Sequence, residues 1–302
     1  MTETTVPAKV NRLPWRYRLE YAAAQLLRLV ARVLPESVAR ALGRFIGICV
    51  GQLWRSRRNI AIRNIDRAFN GELPPRQTGK IVSQTFQTMG QTAFEVLRFG
   101  KLSPQMLLDR VEGNADLLRH VQEQGKGAIL VSGHYGNWEI LGAWLRALGF
   151  PVDVIVKPMR NPLVDALYNR CRATMGVGVI HTQVATKGIV RALQQKRFVA
   201  ILADQYAGAE GVEVDFFGRS ASTPRGPAAL ALKFGCPLVT GVLERRPGGR
   251  FLAHIDGPVE YRPTGDNEAD VRAITQELTT RLESHIRRTP GQWLWTHRRW
   301  RD

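Results

Sequence analysis

Gly127-Ala-Ile-Leu-Val-Ser-Gly-His-Tyr-Gly-Asn-Trp-Glu-Ile-Leu141 is the stretch on which the fold turns. Its apolar run Ala128–Val131 is bounded by glycines and predicts a fully buried strand. Gly133 and Gly136 break the run, and an amphipathic helix follows from about Asn137 to Leu148. His134 is therefore expected at a strand-to-helix turn, where side chains and free backbone N–H groups face a crevice. Glu139 falls in the first helical turn, from which its carboxylate can fold back onto the imidazole. Such a contact fixes the tautomer and leaves the other ring nitrogen as a base. A lone histidine at a strand end is more often structural, and a glutamate there also suits the helix dipole. The combination of strand, glycine-flanked histidine and carboxylate favours chemistry.

The block Ser132-Gly133-His134-Tyr135-Gly136-Asn137-Trp138-Glu139 resembles the His-x4-Asp/Glu motif of the glycerolipid acyltransferase superfamily, in the form carried by the late acyltransferases of lipid A assembly. Gly133, Glu139 and the absence of a Glu-Gly-Thr-Arg block separate it from the glycerophosphate-type branch. The resemblance covers about Arg16 to Trp300. It implies a glycerolipid-acyltransferase-like α/β fold, a mixed sheet flanked by helices. The implied reaction moves a fatty acyl chain from an acyl carrier protein thioester (or acyl-CoA) to a hydroxyl of a phosphorylated glycolipid, a lipid A precursor. His134 would be the general base and Glu139 its partner, with no cofactor and no metal.

Composition bears on the partners. A chain of 302 residues with 44% hydrophobic content can bury a large core. A net charge of +17 calls for a polyanionic partner: nucleic acid, an anionic membrane or a phosphorylated substrate. Cys49, Cys171 and Cys236 are widely spaced and odd in number, which fits a reducing compartment and no disulfide framework. No signal peptide, His-Glu-x-x-His or Gly-x-Ser-x-Gly pattern is present.

Along the chain, residues 1–13 read as a frayed polar lead. A helix to about Leu34 places Arg18, Gln25, Arg28 and Arg32 on one face, and Leu19, Leu26, Leu27, Val30 and Val33 on the other. A second runs from Ser37 to about Trp54, with Gly43, Gly47 and Gly51 spaced by four to admit a close helix. Neither reaches the roughly 18 uncharged apolar residues of a membrane span. With Trp15 and Trp54 at their margins they suit the membrane interface. Arg55, Arg57, Arg58, Arg63 and Arg67 follow, a cluster that attracts anionic headgroups. The expected division is a membrane-associating segment over residues 1–70 and an acyltransferase domain over 71–302, on the cytoplasmic face of a bacterial inner membrane.

From Gly127 strands and helices alternate, with strands expected at 128–132, 152–156, 177–180 and 198–203. Lys157, Arg160 and Asn161 follow the second of these, where cations can hold a phosphate or oxyanion. Asp204 follows the fourth, able to orient a donor, contact a sugar hydroxyl or cap a turn. Phe216-Phe217-Gly218 reads as an acyl-chain wall, and Arg219 and Arg225 as phosphate contacts. Thr223 before Pro224 reads as a helix N-cap presenting backbone N–H groups, Gly226 among them. Interleaved tryptophans and arginines near the C-terminus also suit single-stranded nucleic acid, but no recognised nucleic-acid motif accompanies them, and His297 is expected to pack. Other readings are acylation of a mannosylated phosphoinositide or aminolipid, a thioesterase, and a non-enzymatic basic binding protein.

Overall fold

The computed structural model describes residues 13–301. The expected polar lead lies, up to residue 12, outside the described residues. Helices α1 (Trp15–Val33), α2 (Glu36–Leu53), α3 (Arg55–Ala68), α4 (Pro75–Leu97) and α5 (Pro104–Arg110) come first. Then follow β1 (Val111–Glu112), α6 (Asp116–Glu123), β2 (Ala128–Ser132), α7 (Trp138–Ala147), β3 (Val152–Val156), α8 (Pro162–Thr174) and β4 (Gly178–His181). The remainder is α9 (Ala185–Gln194), β5 (Phe198–Leu202), β6 (Val212–Asp215), β7 (Ser220–Thr223), α10 (Gly226–Phe234), β8 (Leu238–Arg245), β9 (Phe251–Asp256) and α11 (Asn267–Arg288).

Seven strands form one sheet in the order β1-β9-β8-β2-β5-β3-β4, parallel except for the β8–β9 pair. β2 is buried along its whole length, and its side chains alternate between faces. Ala128 and Leu130 join the core beneath α7 and α8, while Ile129 and Val131 join the one beneath α10 and α11. The chain leaves β2 through α7, builds β3 and β4, and returns to β5 between β2 and β3. The connections after β2 and β5 thus lead to opposite faces, which opens a crevice at their carboxyl ends.

The N-terminal helices pack on this core through small residues. Gly43, Gly47 and Gly51 are the buried positions of α2 besides Ala39. A Cβ on Gly47 would lie 2.2 Å from the Phe86 carbonyl oxygen of α4, and one on Gly90 2.1 Å from the Gly43 carbonyl oxygen. The glycine spacing read from the sequence is this helix crossing. On α1 the sides are reversed from a soluble helix. Gln25, Arg28 and Arg32 are half-buried, whereas Leu19 and Leu29 are 62% and 61% exposed. Among the described residues no helix is long and apolar enough to cross a membrane.

Two elements differ from expectation. The arginine cluster lies on a full helix, α3, in which Arg57 and Arg67 donate to the carbonyls of Thr296 and Trp300. Ser220–Thr223 is a strand, pairing antiparallel with β6 as a separate ribbon.

Candidate active site

Two adjacent parallel strands set the site. Ser132 of β2 is in register with Leu202 of β5, so His134 and Asp204, at the same offset beyond each strand, face one another. The Asp204 Oδ1 accepts from His134 Nδ1 at 2.7 Å, and its Oδ2 accepts from the His134 backbone N–H at 2.7 Å. Trp293 Nε1 donates to the same Oδ2 at 2.8 Å. Asp204 is 4% exposed, while the His134 side chain keeps 20% of its surface. An ionised carboxylate only accepts, so Nδ1 carries the proton and Nε2 is the free nitrogen.

Electrostatics follow from this geometry. Burial alone pushes the imidazole of His134 down, but the charge and hydrogen bond of Asp204 outweigh it and hold His134 above its ordinary value. Burial alone pushes Asp204 up; the facing imidazole, the His134 N–H and the Trp293 indole bring it down to about 2.

The turn is locked from three directions. Gly136 has φ +58°, and a Cβ there would meet the Leu243 carbonyl oxygen at 1.7 Å, so only glycine fits. Asn137 caps α7 by accepting from the backbone N–H groups of Glu139 and Ile140, and its amide donates to Glu95 of α4 at 2.5 Å. Glu95 is in turn paired with Arg245 at 2.6 Å. The Leu294 N–H donates to the His134 carbonyl at 3.0 Å.

Glu139 does not fold back onto His134. With Asn137 taking the cap, its carboxylate runs outward to Arg172 of α8, which binds it with Nη2 at 2.6 Å and Nε at 2.9 Å. The expected Glu139–imidazole contact is replaced by one from Asp204, and Glu139 contributes only a more distant negative charge.

His134 lines a cleft of about 420 Å³. Its walls are mainly apolar, with Leu130, Leu141, Gly142, Val154, Val177 and Ala200 among them. Polar groups are Ser132, His134, the Glu139–Arg172 pair, Lys157, Thr182 and Gln205. Trp138 meets the imidazole edge-on, with ring centroids 5.0 Å apart. An imidazole with Nε2 free beside apolar walls can take a proton from a hydroxyl next to a bound long chain.

The sequence profile for bacterial lipid A biosynthesis acyltransferases matches residues 8–302. The chain belongs to this acyltransferase family. Lipid A biosynthesis lauroyltransferase of Escherichia coli (strain K12) is 28% identical over 291 residues, 95% of this chain and 92% of the relative. The E. coli lipid A biosynthesis palmitoleoyltransferase is 27% identical over the same length. Phosphatidylinositol mannoside acyltransferase of Mycobacterium tuberculosis (strain CDC 1551 / Oshkosh) is 28% identical over 249 residues, 79% of this chain and 75% of the relative. The protein is thus an acyltransferase, an enzyme with an acyl donor and a lipid acceptor.

This acyltransferase gathers only some of the residues singled out by sequence. Lys157 lines the cleft, and Arg160 is exposed beside it in the chain. Asn161 is buried, caps α8 at Leu163 and donates to Glu20 at 2.7 Å, so it ties α1 to the sheet and is not free for substrate. Arg219 donates to the Arg67 carbonyl at 2.7 Å, and Arg225 pairs with Glu268; neither lines the cleft. Thr223 is not an N-cap: α10 starts at Gly226, and Thr223 accepts from the buried Arg299. Gly226 also lies outside the cleft lining. Phe216 and Phe217, expected as an acyl-chain wall, do not line this cleft. They are 1% and 2% exposed and pack against Trp293, Trp295 and Trp300. The sequence reading overlooked Arg172 and Trp293. Arg172 carries no local signal, lying in an ordinary helix, but Trp293 belongs to a block already marked by its tryptophans.

Proposed function

We propose that the enzyme transfers a fatty acyl chain from a thioester donor to a hydroxyl of a phosphorylated glycolipid, with His134 as general base and Asp204 as the group that orients it. The observation that carries this reading is the His134–Asp204 hydrogen bond beside the mainly apolar cleft that His134 lines. The Nδ1–H is committed to Asp204, so Nε2 takes the proton of the acceptor hydroxyl as its oxygen attacks the thioester carbonyl. The buried carboxylate stabilises the imidazolium that forms. When the tetrahedral adduct collapses, the carbon–sulfur bond breaks and the imidazolium returns its proton to the leaving thiolate. Lys157 is the cleft cation suited to steady the oxyanion or a donor phosphate. Burying the chain in the cleft supplies about 0.8 kcal/mol per methylene, which holds the reactive carbonyl in place.

A lipid A precursor is the first acceptor to test, because the relatives named for lipid A biosynthesis cover this chain nearly end to end. Phosphatidylinositol mannoside is the second, on the strength of the mycobacterial relative. The test is incubation of the purified protein with each acceptor and with carrier-protein or coenzyme A thioesters of several chain lengths, read by mass spectrometry. A product heavier by one acyl group on the glycolipid supports the proposal. Release of free fatty acid without any acceptor dependence would establish a thioesterase and overturn it.

Access to such lipids fits the reversed α1. Trp15, Leu26 and Val33 are 77%, 62% and 74% exposed, and Phe45 and Leu53 of α2 are 61% and 82% exposed. An apolar surface of this extent beside exposed Arg55, Arg58 and Arg63 suits a helix pair lying in an anionic headgroup layer. We assign the cytoplasmic face of the inner membrane as its place of action, where the thioester donors are.

A further inference from the structure

The base assignment above uses one oxygen of Asp204 and leaves the other, with its indole donor, without a part in the reaction. We infer that the C-terminal segment from Gln292 to Arg299 belongs to the catalytic apparatus, with Trp293 a positioning residue that acts on His134 through Asp204. The inference rests on the proposed role of His134.

The indole N–H is a donor only, so it can hold the carboxylate but never relay its proton. Asp204 Oδ2 receives both the Trp293 indole and the His134 backbone N–H, at 2.8 and 2.7 Å. Two donors on one oxygen pin the rotation of the carboxylate and leave Oδ1 directed at the imidazole. Trp293 cannot drift from this position. It is 2% exposed and is met edge-on by Trp295 and Phe216, at centroid distances of 4.7 and 5.5 Å. Its backbone is fastened to the catalytic turn on both sides. The Gln292 carbonyl accepts from the Gly136 N–H at 2.9 Å, and the Leu294 N–H donates to the His134 carbonyl at 3.0 Å. Asn64 of α3 holds the outer side through the carbonyls of Trp295 and His297, at 2.7 and 2.5 Å. The segment therefore sets the catalytic turn and its carboxylate as one unit.

Charge supports the same part. Arg299 is 1% exposed and donates to the Ser222 carbonyl at 2.6 Å, with Asp204 the first carboxylate whose charge it feels. The groups that face the His134–Asp204 pair are Glu139 on α7, His297 and Arg299 on the C-terminal segment, and Arg281 and His285 of α11 in the cavity behind Asp204. Removing the indole N–H leaves these in place. It makes Asp204 a stronger base and strengthens its hold on the imidazolium, so His134 deprotonates at higher pH.

The test is a double-mutant cycle on the full-length enzyme with Trp293→Phe, Asp204→Asn and both together, and His134→Ala as reference. Turnover of a glycolipid acceptor is followed against pH, and each variant is melted to confirm folding. A hydrogen bond to a charged group supports an expected loss of about ten- to hundredfold in kcat for Trp293→Phe, with KM unchanged. Its acid limb should move to higher pH. In the Asp204→Asn background the same change should cost less than about threefold. An equal loss in both backgrounds would show a packing role and overturn the inference. So would an unaltered pH profile with near-native kcat. Should Trp293→Phe fail to fold, the benzothienyl isostere at position 293 removes the N–H alone and must give the same coupling. Retained activity in His134→Ala would refute the base assignment itself, a separate result.

Discussion

Glu139 and Asp204 are separable by experiment, because the structure gives them different partners. Consider Glu139→Gln. The native carboxylate binds Arg172 through two bonds, at 2.6 and 2.9 Å, with the two side chains 11% and 10% exposed. Neutralising it leaves a buried guanidinium without its counter-charge, a change that costs about 3–5 kcal/mol. Glutamine retains one acceptor, so the lower end, about 3 kcal/mol, applies. For a large domain that is a fall in Tm of about 6–12 °C. The imidazole keeps Asp204, so kcat below the melting range should drop less than about tenfold, against the 10²–10⁴-fold that a general base supplies. Differential scanning fluorimetry and an acyl-transfer assay on one preparation give both numbers. Native Tm with a rate loss equal to that of Asp204→Asn would refute the reasoning and return Glu139 to the imidazole.

Three more outcomes follow from the geometry. The acid limb of kcat/KM should lie above the ordinary imidazole value of about 6.5, because Asp204 raises His134 and only the neutral ring is a base. In Asp204→Asn the residual limb should move to lower pH than in the wild type, since burial is then opposed only by the more distant charge of Glu139; an upward shift would contradict the assignment. Gly47→Val should lower Tm by several degrees or abolish folding, because the obstacle is the Phe86 backbone, which cannot turn aside; a native melt would disprove the crossing. Leu26→Glu with Leu29→Glu should weaken flotation with anionic vesicles at least tenfold while sparing Tm, both positions being exposed; unchanged flotation would remove α1 from the membrane.

The sequence disclosed what local pattern governs. The apolar run Ala128–Val131, the glycines after it and the βα alternation carry the sheet, and the spacing of Gly43, Gly47 and Gly51 carries the α2–α4 crossing. Ser220–Thr223 was hidden because its small polar residues show no apolar alternation, and α3 because its arginines mask a buried face of Ile60, Asn64 and Ile65. The partner of His134 was hidden for another reason. Glu139 is close in sequence, but Asp204 is brought close by parallel pairing of β2 and β5, which no local window contains. The available clue was that both residues lie at one offset beyond apolar strands. Arg219, Arg225 and Thr223 stand near the turn in the chain's order of motifs, yet the β6–β7 ribbon carries them to other partners.

The most direct measurement is single-turnover acyl transfer by His134→Ala. With purified enzyme, an acyl thioester and a phosphorylated glycolipid acceptor, the variant should form acylated glycolipid at least about 10²-fold more slowly than the wild type, with an unchanged melting curve. A folded His134→Ala enzyme that retained more than about a tenth of the wild-type rate would contradict the account.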